Sequence, residues 1–223
     1  MLVNGDFSNS NWRDIIISEI NLTNQEPAGW HLEWIEMGQP LYDDNNNLSR
    51  GIPECSHKLD WQLPSNEQLG AKNALILAGD ATYKIFSATA PFGATLSQTV
   101  AGLQPGSKAT LTVPIQIHMR GETDPFGAES GVWVTGVGGW VNCLDMGDRR
   151  WYKHKIEFDV PENGEAEIVI RVKSKWAKPK DFFFDGVTLD AKTAVLPPPT
   201  SPPVDTPPET HPTQTVFIQL PPG

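Results

Sequence analysis

In "KATLTVPIQIHMR", residues 108 to 120, apolar and polar positions alternate. Ala109, Leu111, Val113, Ile115, Ile117 and Met119 fall on one side, and Thr110, Thr112, Gln116, His118 and Arg120 on the other. A period of two describes a strand with one dry face and one polar face. The same alternation recurs in "YKHKIEFDV" (His154, Ile156, Phe158, Val160) and in "EAEIVIRVKSKW" (Ala166, Ile168, Ile170, Val172). Between those two runs "PENG" supplies a turn, and "LQPGS" supplies one ahead of the first strand. No segment carries a convincing 3.6-residue amphipathic pattern. Short strands separated by Gly, Pro and Asn turns predict an all-β jelly-roll β-sandwich over residues 1–190.

The pattern stops at a proline tract. Residues 191–223 hold 10 of the chain's 20 prolines, mostly in "VLPPPTSPPVDTPPETHPTQ". Such a segment reads as a semi-rigid polyproline linker reaching about 3.1 Å per residue. It ends in a short strand-like patch, "TVFIQL". A linker of this kind implies a catalytic or cell-surface domain beyond it, or a partner for the patch.

Composition narrows the partners. A formal net charge of -10, with no Lys/Arg run to offset it, repels a phosphate backbone and argues against nucleic acid. No stretch is apolar enough for a membrane span, and "MLVNGDFSNS" lacks the basic start and apolar core of a signal peptide. The segment reads as either cytoplasmic or, preferred here, a piece of a longer exported protein. Cys55 and Cys143 leave pairing open, since two cysteines make no disulfide framework. The five histidines never share a zinc spacing with both cysteines.

The order of segments resembles a known family. An opening "LVNGDF", a "PAGW" turn into a tryptophan strand, "NALILAG", "ATLSQTVAGLQPGSKATLTV", "WYKHKIEFDVPENGEAEIVIRV" and a closing "FFFDGVTL" look like the carbohydrate-binding modules of families 4, 9 and 22. The resemblance spans nearly all of residues 1–190. It implies a galactose-binding-like sandwich, a non-catalytic role in binding a polysaccharide or other glycan, and an extracellular or cell-surface setting. It also implies a structural calcium where the first and last strands meet, with Asp6 and Asp185 as carboxylate ligands. One departure stands out: the glutamate usual after the first Phe is Ser8. The other reading of Asp185 is an acceptor of backbone N–H bonds.

A second acidic stretch, "YDDNNNLSRGIPE", spaces Asp43, Asn45, Asn47 and Glu54 as a calcium loop would. The required Gly is Leu48, however, and no helices flank it, so it reads as a turn in a long loop.

Sugar recognition calls for flat aromatic faces together with amides, carboxylates and guanidiniums. Of the 8 tryptophans, Trp30 and Trp151 read as packing. Trp34 and Trp61, beside long loops, are candidate platforms, as are Trp133 and Trp140 around the glycine-rich "VTGVGG". Gln116, His118 and Arg120 project together from their strand, and Asp124 follows in "GETDPFG"; these are candidate polar contacts.

Other functions fit less well. "QIH" at 116–118 matches one motif of a jelly-roll lyase family that cleaves alginate, but that family's companion motifs are missing. No nucleophile elbow, zinc-protease helix or phosphate loop is present. The competing reading is an adhesion or assembly subunit whose C-terminal strand patch adds to a neighbour's sheet.

Overall fold

The computed structural model describes residues 1–194. Its strands are β1 (Arg13–Ile17), β2 (Leu22–Glu26), β3 (His31–Trp34), β4 (Pro40–Leu41), β5 (Asp44–Leu48), β6 (Glu54–Leu59), β7 (Ala81–Ser87) and β8 (Phe92–Val100). They continue as β9 (Lys108–His118), β10 (Ala128–Val134), β11 (Val137–Asn142), β12 (Trp151–Asp159), β13 (Ala166–Ser174), β14 (Lys180–Phe184) and β15 (Thr188–Asp190). One four-residue helix, Cys143–Met146, is capped by the Asn142 side chain. The rest of the helical content is two single 3-10 turns. The prediction of an all-β sandwich holds.

Two antiparallel sheets face each other. One has the order β11-β10-β13-β8-β3. The other runs β12-β9-β14-β7-β6, with β15 continuing beside β9. The alternation read from the sequence decides which side chains meet between them. Leu111, Val113, Ile115 and Ile117 of β9 are fully buried, opposite Leu96, Val132, Ile168 and Ile170 of the other sheet. His154 also points inward, as its register implied, and shares a 2.7 Å hydrogen bond with the Ser130 hydroxyl. Burying an imidazole without such a partner costs free energy.

The chain's start is folded into this core. Phe7 lies between the rings of Trp30 and Tyr83, with centroids 5.6 and 5.5 Å away. Gln98 of β8 holds the N-terminal segment by accepting from Val3 N–H at 2.8 Å and donating to Val3 and Gly29 carbonyls. Val187 N–H donates to Gly5 carbonyl at 2.8 Å, so the first and last segments are joined through their backbones.

A second, smaller apolar cluster sits outside the sandwich. Leu63, Leu75 and Ile76, from the long 60–80 connection, pack with Phe183 and Trp151 on the outer face of the six-stranded sheet. Trp151 Nε1 donates to the Ala74 carbonyl at 2.9 Å, fastening the connection down. This connection covers part of that face and walls a cleft beside it.

Several expectations need correction. Residues 44–48 of the presumed loop form β5, which pairs with β4, and Asp44 is spent on Lys175 at 2.8 Å. Alternation breaks after Asp185. Phe183 faces outward, yet Val187 lies in the core, because Gly186 takes a left-handed φ of 67° and shifts the register between β14 and β15. Pairing also outlasts residue 190: Gln104 N–H bonds the Lys192 carbonyl and Leu103 bridges to Thr193. Cys55 and Cys143 are free and buried. The "TVFIQL" patch and most of the proline tract lie outside the described residues.

Candidate functional site

The outer face of the six-stranded sheet is built from the positions that alternate away from the core. These are Lys58 on β6, Lys84 on β7, His118 on β9, and Asp181 and Phe183 on β14. Strand register sets Asp181 beside His118 and Phe183 beside Lys84. The 60–80 connection walls one side with Leu63, Pro64, Glu67 and Leu75, leaving a cleft of about 320 Å³. Arg120 and Arg149 stand at its end.

Asp181 organises the floor. Its side chain is 1 % exposed; Oδ1 accepts from Lys84 Nζ at 2.7 Å and Oδ2 from Arg120 Nη2 at 3.0 Å. A buried carboxylate needs such partners, since an unpaired charge there costs several kcal/mol. Arg149 reaches Glu67 Oε1 at 3.2 Å across the cleft. Its backbone N–H donates to the Ile117 carbonyl at 2.8 Å, so the 147–150 turn is laid against the end of β9. Burial, aided by the cationic Arg149 and Arg120, pulls the His118 imidazole down to about 4. His118 is therefore neutral at pH 7, with its ring 4.8 Å from that of Phe183.

Of the residues the sequence singled out, only His118 and Arg120 line this cleft. Gln116 is buried on the same face between Trp151 and Phe183 in register, and does not line the opening. Trp61 is 74 % exposed on the turn between the lining residues Lys58 and Leu63, as its loop position suggested. Asp124 is taken up in local structure: it accepts from Phe126 N–H and from Trp176 Nε1, both at 2.9 Å. The nearby Glu122 is held by Lys180 in a buried pair at 3.2 Å.

The remaining tryptophans lie elsewhere. Trp34, expected beside a loop, ends β3 on the core side, and its Nε1 is buried without a partner among the described residues. Trp133 and Trp140 sit on the outer face of the five-stranded sheet, across the sandwich from the cleft. Their rings meet edge to face at 5.2 Å, Arg171 lies over Trp133 at 5.3 Å, and Lys173 over Trp140 at 4.0 Å. Gly131 leaves room for both indoles, since a Cβ there would strike them. Each cation occupies one face of an indole, and Trp133 also lines an open cavity of about 230 Å³ with Glu167, Val169 and Arg171.

Lys84, Asp181, Phe183, Glu67 and Arg149 were missed by sequence reasoning. The first three alternate outward on their strands and were legible in principle once β7 and β14 were paired. Glu67 and Arg149 come from connections, where no periodicity marks them.

The junction of the N-terminal segment with the turn between β14 and β15 is the other polar centre; the segment forms no strand of its own over residues 1–12. Asp185 is fully buried; Leu77 and Ala78 donate backbone N–H to Oδ2, Ala78 at 3.0 Å, and Gly186 N–H donates to Oδ1 at 2.6 Å. Burial, with a contribution from the nearby Asp6 carboxylate, pushes the Asp185 carboxyl up to about 7. Ser8, in place of the expected glutamate, accepts from Asp80 N–H at 3.0 Å. Among the described residues no group of three or more His, Cys, Asp and Glu side chains is placed to hold a metal ion.

No family model matches the sequence, and no curated protein matches it. The fold does have close counterparts among solved structures. A family 61 carbohydrate-binding module in complex with β-1,4-galactotriose superposes with a TM-score of 0.52 at 15% identity, covering 86% of this chain and 97% of that one. The enzymatically active domain of tailspike protein 4 of bacteriophage CBA120 superposes with a TM-score of 0.50 at 12% identity, covering 85% of this chain and 21% of that one. At these identities the likeness is one of fold.

Proposed function

We propose that the chain is a non-catalytic glycan-binding module whose site is the cleft over the six-stranded sheet. One observation carries the reading: hydrogen-bonding groups on four strands and three connections converge on one cleft, with Phe183 in its floor and Leu63 and Leu75 on its wall. Sugars are bound by that combination of apolar surface and fixed donors and acceptors. The end-to-end fold match to a module in complex with a galactotriose supports it.

The cleft's own pairing supports a binding rather than a reacting site. Asp181 is doubly paired, His118 is neutral and lies against Phe183, and Gln116 is withdrawn from the opening, so the "QIH" match is not arranged as a lyase centre would require. An extracellular setting, attached to a further domain through the proline tract, is part of the same reading.

Calcium at the strand junction is a separate proposal. Asp6 and Asp185 are hard oxygen donors, and Asp6 helps to raise the Asp185 carboxyl, a shift that a cation would relieve. The remaining ligands would have to be backbone carbonyls or water, because among the described residues no third His, Cys, Asp or Glu side chain is grouped with these two.

Affinity electrophoresis against plant, algal and bacterial wall polysaccharides tests the glycan reading. Retardation by at least one polymer is expected, and is weakened by substitutions in the cleft. Unretarded migration in all of them, down to millimolar site affinity, would overturn it. Release of shortened products from any polymer would overturn the non-catalytic part.

A further inference from the structure

We propose that the cleft selects an acidic glycan, binding the carboxylate of a uronic acid between Arg120 and Arg149. This deepens the proposed glycan-binding function and rests on it.

The chain as a whole is strongly acidic, with 17 Lys and Arg against 27 Asp and Glu. The cleft reverses that balance: Lys58, Lys84, Arg120 and Arg149 line it against Glu67 and Asp181. A random sample of this surface would be net negative. A concave basic site on an acidic protein attracts anions and keeps other anions off the remaining surface.

The pairing leaves positive charge uncompensated. One carboxylate, Asp181, serves both Lys84 and Arg120, and it binds Arg120 only through Nε and Nη2. Arg149 meets Glu67 through a single Nη1 contact. Both arginine side chains remain about half exposed, 48% and 46%. Each therefore keeps N–H donors for a ligand, in the planar arrangement that suits a carboxylate. Lys58 is partly offset by Glu54 at 3.2 Å, outside the cleft.

Backbone conformation gives a second, independent observation. Arg120 and Arg149 both adopt φ of 51°, in the left-handed region that long side chains seldom occupy. The two strained residues flank the same end of β9, one just past His118 and the other bonded to Ile117. Strain of this kind persists where the surrounding structure imposes it, and it clusters at binding sites. His118, neutral between them, supplies a donor or acceptor without a charge of its own.

The test uses the whole chain and measures affinity for alginate, polygalacturonate and a glucuronic-acid polymer. Each is compared with its methyl ester, with neutral β-1,4-galactan and with a sulfated galactan. At least one uronate polymer is expected to bind, and esterification should weaken it about tenfold, the effect of losing one charge-assisted contact. Arg149→Gln should weaken the acid form by a similar factor and the ester form by less, so that the acid-to-ester preference falls. Raising salt should weaken the acid form alone. Because esterification leaves the protein intact, this arm does not depend on any variant folding.

Binding of neutral galactan equal to that of every uronate polymer would overturn the acidic selection while leaving the glycan-binding function standing. Preference for the sulfated polymer would overturn the carboxylate assignment. Failure of every glycan would overturn both. Unchanged uronate affinity in a folded Arg149→Gln protein would also overturn the proposal.

Discussion

Gly5 lies so close to Val187 that a Cβ on residue 5 would overlap the Val187 carbonyl oxygen. The two residues also share the hydrogen bond that joins the chain's first and last segments. Backbone on both sides leaves no flexible atom to yield. Gly5→Ala is expected to destabilise the fold by about 2 kcal/mol, in the range of overpacking substitutions. Thermal denaturation checks it, with a fall in melting temperature of about 5 °C for a chain of this size. An unchanged melting temperature would show that this closure is loose.

Acid should weaken the fold through its buried histidines. Burial holds His57, His118 and His154 down to about 4 each. In the unfolded chain they titrate near pH 6.5. Their folded values are depressed, so the stability they confer is present above about pH 6.5 and is lost as pH falls toward about 4. Asp185 acts in the opposite sense. Its folded value is raised to about 7, so its contribution is present at low pH and is lost as pH rises from about 4 through 7. Three groups outweigh one, and the melting temperature in calcium-free buffer should decline from pH 7 to pH 4.5. Asp185→Asn should steepen that decline, because it removes the opposing group.

Calcium has its own signature at the same junction. Melting at pH 7.5 in excess calcium and in chelator should differ if Asp6 and Asp185 hold the ion, with the calcium form higher. The Asp6→Asn protein should lose the difference. Identical melting in both buffers would leave Asp185 with only its amide donors.

Trp61 separates binding from folding. At 74 % exposure it contributes little to the core, and Trp61→Ala should change stability by less than about 0.5 kcal/mol. Its exposed indole stands on the turn between the cleft-lining Lys58 and Leu63, which predicts about tenfold weaker glycan binding, as expected for one lost aromatic stacking surface. Equal affinity in the variant and the parent would remove Trp61 from the site.

Legibility of the site differed from that of the fold. His118 and Arg120 could be placed because alternation along β9 dictates their face. Trp133 and Trp140 could not be sorted from them. Both are outward on their strands, yet they lie on the other sheet, and period two says which side of a sheet a residue takes but not which sheet it joins. Trp34 is half-buried: it packs against the core, which a β3 so short carries too little periodicity to show, and also lines open cavities with Glu36 beside the loop that follows β3. Glu67 and Arg149 carry no local signal at all.

Asp185 shows the division most clearly. The sequence by itself determined that an acid stands amid the phenylalanines of a closing strand, and so that it must be paired, bonded or bound to a cation. It also determined the two-layer β architecture, because alternating side chains can be buried on one face only by stacking sheets. Only the tertiary structure decided that Leu77, Ala78 and Gly186 supply Asp185 with N–H donors. It alone decided that the 60–80 connection packs on the outer sheet face and walls a cleft there. Those outcomes depend on contacts between residues far apart in the chain, which loop packing selects and no local pattern records.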